Sequence, residues 1–233
     1  MTTKRNSLRF LVEQADELYS ARHELARVEK SVELLRSVGR NSFEIDWRLA
    51  RAYFFLGQES GSIGEKRAIH AAGVKAGRAA VKESADRVEG NFWLGVNLAL
   101  LAQVQSKPFA ILHAVQAKRA LAKAVEIDRG YHGAGPLRVL ARLQQHLPLM
   151  LGGGSERAIK NYEEAIRIDP TNTVTRIYLA ELLLKMNRVE EAQEQLESIL
   201  LTTPLPNWKF ESERDQARAK AMLATLDRRT SAA

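Results

Sequence analysis

The 233-residue sequence predicts an all-α fold in which consecutive helical hairpins form a solenoid. Two observations support this prediction: a composition that favours helices, and two residue patterns that recur at helical spacing. Alanine, leucine, glutamate, lysine and arginine fill the long segments, and these residues lose little conformational entropy in a helix. Only 6 prolines and 14 glycines are present to interrupt such segments. Helix should therefore dominate the structure.

The apolar periodicity predicts eleven helices in order along the chain. They cover approximately residues 7–21, 24–38, 43–56, 65–84, 87–104, 109–128, 135–147, 155–168, 173–186, 189–201 and 211–227. A Pro-Leu-Pro turn at 204–206 precedes the last of them. We expect this final helix to cap the array, because the terminal repeat of a solenoid needs a polar outer face.

The first recurring pattern places small residues on one face of a helix. It reads A-x3-[YL]-x2-A-x3-D and occurs as Ala158, Tyr162, Ala165 and Asp169. It recurs at residues 117–128 and, with smaller side chains, at residues 73–84. Small residues at these spacings let a second helix approach closely. The pattern therefore predicts tightly packed helix pairs.

The second pattern reads L-[AG]-x2-[YL]-x2-[LM] and also has helical spacing. It occurs at residues 49–56, 94–101 and 179–186. Gly57 follows the first copy and Asn187 follows the third, and both are predicted to end their helices. Because the two patterns alternate along the chain, the repeating unit is a helical hairpin.

Such a hairpin is the unit of a tetratricopeptide repeat, whose period is about 34 residues. Residues 155–200 fit this period closely, whereas the earlier units are longer. The sequence therefore predicts an irregular tetratricopeptide-like array. No segment has the composition of an interdomain linker, so we expect one repeat domain over residues 1–233.

The sequence favours a binding protein over an enzyme. Cysteine is absent, which excludes disulfides, thiolate metal sites and a cysteine nucleophile. The five histidines are scattered without the spacing of metal ligands, and no nucleophile motif or convergent pair of carboxylates is present. We predict no catalytic residue, no metal and no cofactor. Residues 92–104 are the longest strongly apolar stretch and are too short to span a bilayer.

The formal charge of +7 comes from 35 basic and 28 acidic residues. Basic and acidic residues alternate along most of the predicted helices, so we interpret the charge as a mixed, solvated surface. Nucleic-acid binding is the less favoured alternative. Its signature would be an affinity that falls steeply with salt concentration.

The candidate site is the face of each first helix that is not used in packing between repeats. In helical-repeat arrays the first helices line a concave wall, which here would form an apolar groove with a few charges. For Trp47 and Phe92, a place in the groove and a place in the core are equally consistent with the sequence. The predicted groove residues are Trp47, Arg51, Phe54, Phe92, Val96, Glu181 and Lys185.

Several short stretches together resemble the TatT family, the tetratricopeptide components associated with some bacterial TRAP transporters. They read ADELY at 15–19, WRLARAY at 47–53, EGNFWLGVN at 89–97, GAGPLR at 133–138, LP at 147–148, GG at 152–153 and IYLAEL at 177–182. The resemblance implies a helical-repeat fold, a ring-like homo-oligomer and docking to the substrate-binding protein of a transporter. Together with the apolar groove and Arg51, which can pair with a carboxylate, it leads us to expect a partner protein or a small apolar or carboxylate ligand in the groove.

The WRLAR segment and the irregular spacing also resemble the regulators of microtubule dynamics, which implies a cytoplasmic adaptor or regulatory scaffold as the alternative. Residues 1–9 contain no signal segment, so the chain as written is expected to be cytoplasmic. TatT proteins are exported lipoproteins, and this resemblance would imply a periplasmic or envelope location if the chain has been trimmed. The apolar face of residues 92–101 suggests self-association, because a short array leaves hydrophobic surface exposed.

Overall fold

A computed structural model of the chain describes residues 2–39 and 42–230, with side chains for all of these except 2–7, 227, 229 and 230. The described residues form eleven α-helices and contain no β-strand, which confirms the predicted fold class. Two short 3₁₀ helices lie at Leu149–Leu151 and Pro206–Trp208. The α-helices are α1 Thr2–Ser20, α2 Leu25–Arg36, α3 Phe43–Glu59, α4 Ile63–Glu83, α5 Val88–Gln103, α6 Lys107–Ile127, α7 Tyr131–Gln144, α8 Ser155–Ile168, α9 Thr173–Lys185, α10 Val189–Leu200 and α11 Lys209–Thr230.

The chain divides into two compact units, Met1–Asp128 (unit 1) and Arg129–Ala233 (unit 2). That residues 1–233 act as one repeat domain stays a prediction. Within the described residues, no helix combines the length and the apolar character that crossing a bilayer requires.

Unit 1 consists of three helical hairpins, α1–α2, α3–α4 and α5–α6. The first helices of successive hairpins contact each other, and each second helix of the first two hairpins also contacts the first helix that follows it. The small-residue pattern lies at the contacts with α5. Gly73 and Gly77 of α4 are buried against it, and Ala117, Leu121 and Ala124 of α6, which packs on its other side within the same hairpin, have no exposed surface. The spacing therefore identified the packing face correctly.

Two glycines allow the helices of unit 1 to pack closely. A Cβ at Gly77 of α4 would lie 2.8 Å from the Cα of Leu94 in α5. Gly57 has a comparable role, because a Cβ there would overlap the ring of His70. The prediction that Gly57 ends its helix is wrong, since α3 continues to Glu59. The glycine is required by a close approach between α3 and α4, and not by a turn.

A buried asparagine connects three helices of unit 1. Asn97 of α5 is fully buried, and its Nδ2 donates hydrogen bonds to the carbonyl oxygens of Ala50 in α3 and Trp93 in its own helix, at 2.9 Å each. Its Oδ1 lies 3.3 Å from Nδ1 of His70 in α4. Burial lowers the pKa of His70, so the imidazole is held in its neutral form.

Unit 2 contains the hairpins α7–α8 and α9–α10, followed by α11. Ala158, Tyr162 and Ala165 of α8 have no exposed surface, as the pattern predicts. Asn187 has a φ of 60° and follows α9, so the prediction that it ends this helix is confirmed. Helix α11 packs against α9 and α10, where the Asp215 carboxylate accepts a hydrogen bond from Thr173 at 2.7 Å.

Helix α7 begins with a short left-handed turn that the sequence does not predict. His132, Gly133 and Ala134 all have φ between 53° and 61°. The carbonyl oxygen of Gly133 accepts a hydrogen bond from the buried guanidinium of Arg138 at 2.8 Å, and the backbone N–H of Ala134 donates to Gly130. A left-handed conformation is unfavourable at His132 and Ala134, so these bonds offset a local strain.

Candidate protein-interaction site

The seven predicted groove residues fall into both units. Five of them lie on α3 and α5 in unit 1, and Glu181 and Lys185 lie on α9 in unit 2. Each group is described within its own unit. One concavity shared by all seven residues stays a prediction.

In unit 1, Trp47 and Arg51 belong to a cluster on α1 and α3 that also contains Asp16, Tyr19 and Arg48; we call it the arginine cluster. The Asp16 carboxylate accepts hydrogen bonds from Arg51 Nη2 at 2.6 Å and from Arg48 Nε at 2.9 Å. Two guanidinium groups therefore share one carboxylate across the contact between α1 and α3.

Aromatic rings complete the arginine cluster. The Arg51 guanidinium lies 4.0 Å from the ring centroid of Tyr19 and 5.0 Å from that of Trp47, and Arg48 lies 4.2 Å from the Trp47 centroid. Cations at these distances are attracted to the negative faces of the rings. Trp47 is 9% exposed and Tyr19 is 8% exposed, so the structure places both rings in the core. Arg51 Nε is also buried and has no hydrogen-bond partner among the described residues. The Arg51 side chain is 16% exposed and the Asp16 side chain is 36% exposed, so the cluster is open to solvent mainly at its carboxylate.

The other predicted residues of unit 1 are more deeply placed. Phe92 is 2% exposed and Val96 is 5% exposed, so both contribute to the core of unit 1. Phe54 is half-buried, with its ring centroid 5.4 Å from that of Trp93. Leu98 and Leu101 are also buried. The prediction that residues 92–101 supply a surface for self-association is therefore wrong, because most of this segment packs inside its own unit.

In unit 2, Glu181 joins two arginines from neighbouring helices. Its carboxylate accepts a hydrogen bond from Arg142 of α7 at 2.8 Å and forms an ion pair with Arg218 of α11. The Arg142 guanidinium lies 4.5 Å from the ring centroid of Tyr178. Because α11 supplies one of these partners, the capping helix occupies part of the predicted groove. Lys185 is exposed at the end of α9.

Several members of these clusters were not predicted from the sequence. The unpredicted members are Asp16, Arg48, Arg142 and Arg218. Three of them pair directly with a predicted residue, and Arg48 pairs with Asp16, the partner of Arg51. A usable signal existed for Arg48, because Glu44, Trp47, Arg48 and Arg51 share one helix face at spacings of three and four residues. The partners on other helices have no local signal, since they lie more than thirty residues away.

A separate cavity of about 190 Å³ lies between α8, α9 and α10 in unit 2, and none of the seven predicted residues lines it. Its apolar lining includes Leu179 and Leu183, and Arg176 donates a hydrogen bond to Gln195 there at 2.7 Å. Three carboxylates and two arginines also line it: Glu163, Glu191 and Glu194 with Arg176 and Arg188. Charges of both signs give the cavity no clear preference for a charged ligand. Among the described side chains, no three His, Asp or Glu residues form a group able to hold a metal ion.

Successive helical hairpins with buried small residues, followed by a capping helix, define the class of tetratricopeptide-like helical-repeat proteins. The tetratricopeptide repeat profile matches residues 155–209. A thermophilic tetratricopeptide-repeat protein of Thermus thermophilus is 20% identical, with 91% of this chain and 98% of that chain covered and a TM-score of 0.68. A crystal structure of MamA is 16% identical over 85% of this chain and 95% of that chain, with a TM-score of 0.51. At these identities the likeness concerns the fold alone.

A second family profile, that of regulator of microtubule dynamics protein 1-3, matches residues 11–134. This is more than half of the chain, and the chain belongs to this family. The match confirms the resemblance carried by the WRLAR segment and the irregular spacing. The TatT resemblance stays a prediction. No curated protein matches the sequence significantly.

Proposed function

We propose that the chain is a non-catalytic scaffold that binds a partner protein, and that the arginine cluster of unit 1 forms the centre of the binding site. The proposal rests on one observation: Arg48 and Arg51 stack on Trp47 and Tyr19 while sharing the half-exposed carboxylate of Asp16. Tryptophan, tyrosine and arginine are the residue types that contribute most to binding energy at protein interfaces.

The geometry of the cluster favours a partner that carries a carboxylate. Among the described side chains, Arg48 pairs with both Asp16 and Glu44, whereas Arg51 pairs only with Asp16, whose carboxylate it shares with Arg48. The Arg51 guanidinium is therefore the less neutralised of the two. A planar guanidinium binds a second carboxylate bidentately with good geometry. The aromatic rings fix the orientation of the arginines, so little side-chain entropy is lost when the partner binds.

The test compares Arg51→Ala with Arg157→Ala as immobilised baits in a lysate of the source organism. Arg157 is exposed on α8 in unit 2 and is a matched control for the loss of one arginine. We expect the partners that bind both the wild type and Arg157→Ala to bind Arg51→Ala at least about fivefold more weakly. This corresponds to a loss of about 1 kcal/mol of binding free energy. Trp47→Ala should also weaken binding, because the buried Trp47 ring holds both guanidinium groups in place.

Hydrogen exchange of α1 and α3 provides the necessary fold control, because Arg51 also binds Asp16 of α1 and Trp47 is buried in α3. If neither Arg51→Ala nor Trp47→Ala changes the affinity for any partner while α1 and α3 stay protected, the arginine cluster is not the binding site.

The TatT resemblance supplies a specific version of this function: docking to the substrate-binding protein of a transporter, with a small apolar or carboxylate ligand in the groove and assembly into a homo-oligomer. A gene neighbourhood that encodes a TRAP transporter would support this version. It predicts direct binding of the purified chain to that substrate-binding protein. A failure to bind at micromolar concentrations would contradict the TatT version and leave the scaffold function untouched.

A regulatory adaptor is the second candidate, and membership of the regulator of microtubule dynamics family favours it. The family name suggests a filament as the partner. Co-sedimentation with microtubules tests this directly. Repeating the assay at high salt screens non-specific attraction caused by the net charge of +7. Co-sedimentation that persists at high salt and is lost in Arg51→Ala would favour the adaptor, whereas an absence of co-sedimentation at low salt would contradict it.

A further inference from the structure

The positive charge of the chain is concentrated on two helices. Helix α4 carries five cationic side chains and two carboxylates. Helix α6 carries four cationic side chains and one carboxylate, so the two helices together have a net charge of +6. The whole chain has a net charge of +7. In unit 2, α8 carries three charges of each sign, and α10 carries four glutamates and no cation. The interpretation of the charge as a mixed surface therefore holds for α8 but not for α4 and α6.

Helices α4 and α6 are the second helices of adjacent hairpins, and both pack against α5. Arg78 Nη2 of α4 donates to Gln116 Oε1 of α6 at 2.8 Å, and Arg67 donates to the carbonyl oxygen of Val104, just before α6, at 3.1 Å. The start of α4 therefore lies near the start of α6, and the two helices run in the same direction.

Six exposed cations lie on corresponding sides of the two helices, and we call them together the basic face. Their spacings of three, four, seven or eight residues place them on one side of each helix. All of them are exposed to solvent. The basic face consists of Arg67, Lys75, Arg78 and Lys82 on α4 with Arg119 and Lys123 on α6.

The cations of the basic face are almost without counter-charges. Among the described side chains, Lys123 pairs with Glu126 at 3.1 Å, while Lys75, Lys82 and Arg119 form no ion pair. A cluster of like charges on neighbouring helices destabilises the folded protein through self-repulsion. An acidic partner would relieve this repulsion, so the face gains by binding one.

We propose that the basic face binds an acidic segment of a partner protein, which rests on the scaffold function and gives that partner a second contact. Apolar residues favour a protein over a nucleic acid: Leu112 is 51% exposed and lies seven residues before Arg119 on the same side of α6, and Phe109 is exposed one turn before it. An acidic helix presents carboxylates and aliphatic side chains together, whereas a nucleic acid contacts proteins chiefly through its phosphates.

The experiment measures binding of a fluorescein-labelled peptide of about 20 residues made of Glu-Glu-Leu-Ala repeats, a length that forms helix in water. A peptide with glutamine in place of every glutamate is the uncharged probe. The variant Lys75→Gln/Arg78→Gln/Lys82→Gln removes three charges from the basic face. The matched control, Arg157→Gln/Lys160→Gln/Arg167→Gln, removes three exposed charges from α8 in unit 2.

We expect the α4 variant to bind the acidic peptide about tenfold more weakly than the wild type, since each exposed pair contributes a modest amount. The α8 control should change the affinity less than about twofold, and the glutamine peptide should bind weakly to all three proteins. Arg119→Gln/Lys123→Gln should reproduce part of the loss from the other helix. Circular dichroism establishes that each variant remains folded.

Three results would overturn the proposal. Equal losses in the α4 variant and the α8 control would show that net charge alone governs binding. A DNA duplex of similar length bound more tightly than the peptide, with the same dependence on α4, would identify the face as a nucleic-acid surface. Self-association abolished by the α4 variant, with no peptide binding, would place the acidic α10 of a second copy on the face. Loss of peptide binding is independent of the Arg51→Ala result, so the two proposals can fail separately.

Discussion

Replacing Gly77 by alanine tests whether α4 and α5 pack as closely as described. The added Cβ would lie 2.8 Å from the Cα and 2.9 Å from the Cβ of Leu94. These atoms are fixed by the backbone of α5 and cannot rotate away, so the two helices must separate. Such overpacking costs about 2–3 kcal/mol. Alanine stabilises a helix interior by about 1 kcal/mol over glycine, so we expect a net loss of about 1–2 kcal/mol.

Gly64→Ala is the matched control, because Gly64 lies in the same helix and has no atom within 4 Å of its would-be Cβ. It should leave stability unchanged or raise it by up to about 1 kcal/mol, since only the helix preference acts there. The two substitutions are chemically identical, and yet they should change stability in opposite directions.

Urea unfolding measures both effects, monitored by tryptophan fluorescence. Trp93 is 1% exposed and adjacent to Leu94, so its emission reports on the affected contact. A lower midpoint for Gly77→Ala and an equal or higher midpoint for Gly64→Ala are expected. A Gly77→Ala protein as stable as the Gly64→Ala protein would refute the reasoning, since α4 and α5 would then have room for the methyl group.

Three further outcomes are expected. Asn97→Ala should destabilise unit 1 by about 2–4 kcal/mol in urea unfolding, because it leaves a cavity and removes the buried hydrogen-bond partner of the Ala50 carbonyl and of His70. A loss of stability below about 1 kcal/mol would contradict the role of this network. Burial, together with the charge of Glu83, raises the pKa of Asp46 to about 6 from 3.8, so its contribution to stability is fully present below the unfolded pKa of 3.8 and is lost as the pH rises through about 6. Asp46→Asn should therefore be more stable than the wild type at about pH 7.5, and the difference in unfolding free energy between the two proteins should be smaller at about pH 5. An equal difference at both pH values would argue against this effect. Glu181→Gln should speed amide exchange in α11 several-fold, because Arg218 loses its counter-charge. Exchange in unit 1 should not change and serves as the internal control. Unchanged protection of α11 would mean that apolar contacts alone hold the helix.

The helices and their packing faces were predictable because the information is local. Ala158, Tyr162 and Ala165 recur at a fixed spacing, and the same spacing decides which side of the helix is buried. The irregular early repeats did not obscure this signal. Even the end of α9 at Asn187 followed from residue type, since asparagine tolerates positive φ.

The site was less predictable because its contacts join distant parts of the chain. Asp16 lies 35 residues before Arg51, and Arg218 lies 37 residues after Glu181. Periodicity also could not decide whether Phe92 belongs to a groove or to the core, since α5 is apolar on all sides. Gly57 was misinterpreted for a related reason: its constraint comes from His70 on another helix.

Asn97 also has a consequence for the order in which the protein unfolds. In a repeat array, the strength of the interface between neighbouring hairpins decides whether they open separately or together. By bonding to α3 while contacting α4 from α5, Asn97 couples two hairpins, so residues 43–103 should open as one cooperative unit. Among the described side chains, the ion pairs of Asp16 supply the corresponding polar link between α1 and α3, and they are partly exposed to solvent. Proteases should therefore cut first near residue 22, and the remainder should survive as a stable fragment.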